Sequence, residues 1–94
     1  QAKTIFANLQ QGKIDRSIFT ADANSYFSDT AVHDYETSLA PLGKPGSFTI
    51  RAARKRGGMQ MRGYTVTFPK TKLSITTYTQ PDGKLEQYIV ASSD

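Results

Sequence analysis

Ninety-four residues fit one domain and leave no room for a second. Hydrophobic content of 37% and charged content of 21% suit a folded chain rather than a disordered one. With no Cys in the chain, disulfide staples, thiolate chemistry and cysteine-ligated zinc are excluded.

A domain of this size hides only about 60–65% of its extended surface, which sets an expected stability of roughly 5–10 kcal/mol. No apolar run approaches the length of about 18 residues that a membrane helix needs, so no span is expected. The chain opens on Gln1 rather than Met, and it is expected to be a fragment of a longer polypeptide.

The net charge of +4 is mild, but its layout is one-sided. Between Glu36 and Asp82 there is no acidic residue, while Lys44, Arg51, Arg54, Lys55, Arg56, Arg62, Lys70 and Lys72 all fall there. A field of one sign favours anionic partners, and cations on the wet face of a strand also serve solubility.

Ala2 to Gln11 has the pattern of a short amphipathic helix, because Ala2, Ile5, Phe6 and Leu9 recur at spacings of three and four and stack on one face. Gly12 is the expected stop, since only Gly enters the left-handed turn without strain. Ile14, Asp15 and Arg16 form a connector. Thr20 to Phe27 is expected as a second helix, capped by Thr20 or Asp22. A third runs from about Thr30 to Ala40, capped by Ser28 or Asp29, with Val32, Tyr35, Glu36 and Leu39 at helical spacing. Pro41, Gly43, Pro45 and Gly46 end it.

After Gly46 the period switches from about 3.6 to 2. Phe48, Ile50 and Ala52 alternate with Thr49, Arg51 and Ala53, the pattern of a strand with one buried face. Gly57 and Gly58 turn the chain into a second strand, Gln60 to Phe68. There Tyr64, Val66 and Phe68 share one side, and Met59, Met61, Thr65 and Thr67 the other. Pro69 and Lys70 turn it again, and in the third strand Leu73, Ile75 and Thr77 alternate with Lys72, Ser74, Thr76 and Tyr78. Gln80-Pro81-Asp82-Gly83 is the strongest turn signal in the chain. Leu85 to Ala91 closes the sheet. Three short connections imply a meander of antiparallel neighbours, with the helices as the only material to cover one face. The expected fold class is α+β: helices over about residues 2–42 packed on a curved four-stranded antiparallel sheet over about 47–91.

No residue is assigned a catalytic role. His33 is the only histidine, and Asp34 beside it points about 100° away in a helix, so the pair is no dyad. Asp29 and Glu36 are its helical neighbours. The serines lack a Ser-x-x-Lys or G-x-S-x-G setting. One His and scattered acids assign no metal or cofactor. Arg56-Gly57-Gly58-Met59 lacks phosphate-loop spacing and a following helix. The binding signal is cationic and aromatic instead: Arg51, Arg54, Lys55, Arg56, Arg62, Tyr64, Lys72, Tyr78 and Tyr88 on a sheet face. An acidic protein surface, polysaccharide or cell-wall polymer fits it better than nucleic acid, because the ribonucleoprotein-type aromatic motif is missing. Tyr, Val and Ile in exposed strands also make the sheet a candidate homodimer face.

Several strings carry a family resemblance. They are Leu9-Gln10-Gln11-Gly12-Lys13-Ile14-Asp15-Arg16, Ser38-Leu39-Ala40-Pro41-Leu42-Gly43-Lys44-Pro45, Arg56-Gly57-Gly58-Met59 with Arg62 and Tyr64, and Tyr78 with Pro81-Asp82-Gly83-Lys84-Leu85-Glu86-Gln87-Tyr88. Together they resemble the small domain that follows the catalytic domain in bacterial serine hydrolases of the beta-lactamase and D-alanyl-D-alanine carboxypeptidase type. The resemblance implies a nuclear transport factor 2-like or cystatin-like fold and a non-catalytic accessory role. It also implies a catalytic domain of the same polypeptide as partner and a periplasmic or secreted location. The nucleophile and its lysine would lie in the other domain. An alternative within the same fold family is a stand-alone small-ligand-binding protein or enzyme. Its pocket would lie between helices and sheet, with Tyr35 and either His33 or a carboxylate, Asp34 or Glu36, at the wall unless Phe6, Phe19, Phe27 and Tyr35 fill it.

Overall fold

The computed structural model describes residues 2–92. Three helices come first, α1 (Ala2–Gln10), α2 (Ala21–Tyr26) and α3 (Asp29–Leu39), and four strands follow, β1 (Ser47–Arg56), β2 (Met59–Thr67), β3 (Lys72–Thr79) and β4 (Leu85–Ser92). The strands pair antiparallel in the order β1-β2-β3-β4, an α+β fold whose sheet is a meander and does not close into a barrel.

Each helix starts and stops for a local reason. Thr20 Oγ1 accepts the Ala23 amide at the head of α2, and Ser28 Oγ accepts the Ala31 amide at the head of α3. At the end of α1 the Gly12 amide donates to Leu9 O (3.1 Å) and the Lys13 amide to Asn8 O (2.8 Å), with Gly12 at φ +72°. This is the paired closing bond that a left-handed residue permits. Two long side chains satisfy the remaining carbonyls. Gln10 Nε2 donates to Leu39 O and Gly43 O behind α3, and Arg16 donates to Asn24 O and Phe27 O behind α2. Gly12→Ala is expected to cost about 1–2 kcal/mol, since an L-residue resists that φ. Its Cβ would also meet the Glu36 carboxylate at 2.7 Å. Thermal unfolding checks this, and an unchanged midpoint would contradict it.

The turns obey the same logic. Gly57 and Gly58 both take positive φ (56° and 86°), the two-residue hairpin turn whose twist matches its strands. Gly83, at φ 91°, closes the β3–β4 turn by donating to Gln80 O at 2.9 Å.

The core lies between the helices and one face of the sheet. Ala2, Ile5, Phe6 and Leu9 all point into it, as their spacing predicts, with Val32 and Leu39 of α3, Val66, Ile75, Leu85 and Tyr88 of the sheet, and Phe19, Phe27 and Phe68. Phe6 joins the layers, its ring centroid 6.2 Å from Phe48 and 6.0 Å from Phe68. Phe19 forms a bridge with Leu85, and the Thr20 amide donates to Leu85 O at 2.9 Å, so the connector before α2 covers the start of β4.

One strand departs from expectation. The β1–β2 register slips between Ile50 and Ala52, leaving Arg51 as the extra residue of a bulge. The alternation therefore inverts partway along β1. Phe48 and Ile50 face the helices, but Ala52 stands with Arg51 on the opposite face, not with Phe48 as strict alternation requires. Only Phe48 of this strand packs against the core. From Ala53 to Gly58 every residue is exposed, so the β1–β2 hairpin extends past the helical layer.

Candidate functional site

The face of the sheet turned away from the helices follows from the register. Arg54 of β1, Met61 of β2 and Tyr78 of β3 stand in one cross-strand row, and Ala52, Gly63 and Thr76 in the next. Arg51 belongs here as well. A Cβ built on Gly63 would lie 3.8 Å from its guanidinium carbon, so the arginine lies across the sheet above that glycine. Arg56, opposite Met59 at the hairpin end, extends the patch. Met61 is only 8% exposed yet stands outside the helix-side core. Its cover comes from this face, where Arg54 and Tyr78 are its partners across the ladder, and stems of this kind shield apolar surface while the charge stays wet.

The cations of the hairpin have no internal counter-ions among the described residues. Among the described residues the ion pairs are Arg16–Asp29 at 3.5 Å and His33–Glu36 at 3.7 Å, both in the helical half. The guanidinium groups of Arg51, Arg54 and Arg56 and the ammonium of Lys55 thus face solvent without a carboxylate. Gly63 and the bulge let Arg51 lie flat rather than project. The surface is cationic, with a thioether and a phenol ring at its floor.

The residues expected on one binding face divide three ways. Arg51, Arg54, Arg56 and Tyr78 are brought together. Lys72 shares their face but pairs with Thr67 at the far end of β2, roughly 20 Å along the strands from the hairpin arginines. Arg62 and Tyr88 are corrections. Arg62 pairs with Ala53 and Thr77 on the helix-side parity, so it flanks the hairpin from the other face. Tyr88 is 2% exposed on the helix side of the sheet and its hydroxyl donates to Ala2 O at 2.9 Å, so it belongs to the core and not to the cationic face. Burial, then the nearby Tyr35 and Tyr64, push its hydroxyl pKa far above the usual tyrosine value.

The helical candidates are also separated. The His33 side chain is 75% exposed beside Glu36, at the rim of a cleft of about 270 Å³ that Gly12, Ile14, Arg16 and Asp29 share. Asp29 turns to Arg16 instead of His33. Tyr35 lines a different cleft, of about 400 Å³, with Tyr26, Leu73 and Val90. Burial, with the neighbouring Tyr26, pushes its hydroxyl pKa up to about 12. Phe6, Phe19 and Phe27 fill the centre between helices and sheet. They leave open clefts at its margins, the Tyr35 cleft with Asp34 on its wall and one of about 380 Å³ between α2 and β4. Thr77 is the one buried polar side chain among the described residues. The described residues hold no cluster of three or more metal-ligating side chains. No described helix is long and apolar enough to cross a membrane.

Sequence reasoning found the cationic string but missed the bulge and the Gly63 floor that organise it. The only signal for either was a glycine inside a strand, which marks a close approach. No protein-family model, curated protein or solved structure matches the chain.

Proposed function

We propose that this chain is a non-catalytic accessory domain of a beta-lactamase-like bacterial serine hydrolase of the periplasm or cell exterior, and that it holds an anionic partner beside the catalytic domain. The observation that carries the binding role is the projecting hairpin, where Arg51, Arg54, Lys55 and Arg56 are exposed with no carboxylate partner among the described residues. Uncompensated charge on one surface steers and retains ligands of opposite sign. The central aromatic packing and the exposure of His33 and Asp34 support the non-catalytic part, because a pocket enzyme of the nuclear transport factor 2-like kind needs a buried carboxylate or histidine facing an apolar cavity. The parentage rests on the string resemblance alone.

Binding to linear polyphosphate at low ionic strength tests the anion reading. Affinity is expected to fall steeply with salt. The triple reversal Arg51→Glu, Arg54→Glu, Arg56→Glu is expected to weaken binding at least about tenfold. Equal binding by the reversed variant would end the proposal. The accessory part is checked by offering the domain a chromogenic beta-lactam and an ester; turnover that a single substitution abolishes would contradict it.

A further inference from the structure

β1 is a free edge. It is the first strand of the order β1-β2-β3-β4, and among the described residues nothing pairs with its outer side over the ten residues Ser47–Arg56. The other edge differs, since the connector at Phe19 and Thr20 bonds to the start of β4 and α2 packs beside it. An unpaired edge presents backbone donors and acceptors that a further strand can satisfy.

A second observation points to what that strand would carry. Ile50 stands in the cross-strand row Ile50–Tyr64–Ile75–Val90 on the helix-side face. Ile75 in that row is wholly buried, yet Ile50 is 57% exposed, because the helical layer does not reach the edge. On the opposite face of the same edge lie Arg51, Arg54 and Arg56. A strand added beside β1 would cover Ile50 with its inward side chains and meet the arginines with its outward ones.

We infer that the β1 edge accepts an extended peptide segment of alternating apolar and acidic residues, pairing as a fifth strand. This inference rests on the anion-binding reading above and names its partner. A second copy of β1 pairing antiparallel over Ser47–Arg56 would set Arg54, Lys55 and Arg56 opposite Thr49, Phe48 and Ser47. Those neutral residues leave the cations uncompensated, whereas an acidic strand neutralises them. The uncompensated cations along the edge are therefore what selects an acidic strand.

The test compares three ligands on the whole chain: an end-blocked peptide of alternating Val and Glu, the same peptide N-methylated at alternate backbone amides, and linear polyphosphate. The unmethylated peptide is expected to bind at least about tenfold tighter than its methylated twin, since only the former completes the ladder. It should slow amide hydrogen exchange in β1. Ile50→Thr is expected to weaken the peptide about fivefold through lost apolar cover, leaving polyphosphate unaffected. Equal affinity for the methylated peptide, or protection that maps to β4, would overturn the edge assignment while polyphosphate binding keeps the anion reading. Failure of all three ligands to bind removes both. Light scattering that shows dimers with β1 amides already protected would assign the edge to a second copy and overturn the inference.

Discussion

Phe6→Ala is expected to remove about 3–5 kcal/mol of stability, the usual cost of truncating a buried aromatic. Phe6 is 1% exposed and is the side chain through which α1 grips the sheet, in contact with Phe48 from β1 and Phe68 at the end of β2. Removing it leaves two rings facing a void on one side, so lost transfer energy and lost dispersion contacts add. Against a total of roughly 5–10 kcal/mol for a chain this small, that is about half of the stability. The thermal midpoint should drop by about 15 °C or more, and the urea slope should stay unchanged if the fold survives. Phe6→Leu, which keeps most of the volume, should cost well under half as much. A loss below about 1 kcal/mol for the alanine variant would mean that α1 is not held on the sheet as described.

The helical half was legible because its signals are local. The stripe Ala2, Ile5, Phe6 and Leu9 and the stop at Gly12 depend on residues within four positions of each other, and all five behave as their spacing dictates. The hairpin turns at Gly57-Gly58 and Pro81-Asp82-Gly83 were legible for the same reason. The faces of the strands were less so. Alternation assigns two sets of side chains but not which set is covered, and one extra residue reverses the assignment beyond it. Arg51 is that residue in β1, and Ala52 follows it to the outer face. Tyr88 was misplaced because a tyrosine satisfies a binding face and a core equally well. Its burial depends on Ala2, 86 residues away, offering a carbonyl.

The division of charge acquires a meaning once the layers are known. Asp15, Asp22, Asp29, Asp34 and Glu36 belong to the helical half, where Arg16 and His33 lie within salt-bridge range of two of them. The basic run from Lys44 to Lys72 falls on the β1–β2 hairpin and its flanks, where no acid is interleaved. The two halves of the sequence therefore become two poles of the molecule. The sheet pole presents a run of cations with no acid interleaved, at the edge where backbone groups and Ile50 are also uncovered.

Tyr88→Phe is expected to lower stability at neutral pH and to raise it relative to the parent in strong alkali. At pH 7 the variant loses one hydrogen bond, from the hydroxyl to Ala2 O, worth about 1 kcal/mol. The acceptor retains the local bonding of the first helical turn, so the loss should not exceed that by much. In alkali the balance shifts, because burial raises the folded-state pKa of Tyr88 above its ordinary value of 10.0. Below the unfolded value both states keep the proton, and the contribution is fully present. Above it the unfolded chain gives up the proton while the folded chain holds it, so stability falls by about 1.4 kcal/mol per pH unit until the folded value is passed. Tyr35 adds a fall of the same sign that ends near pH 12, damped by its partial exposure. The variant lacks the Tyr88 share, so its stability should cross that of the parent near about pH 11. Urea unfolding at pH 7, 10, 11 and 11.5 measures the difference. Parallel pH curves for parent and variant would show that the hydroxyl is not held neutral in the core, and that α1 and β4 are not joined through it.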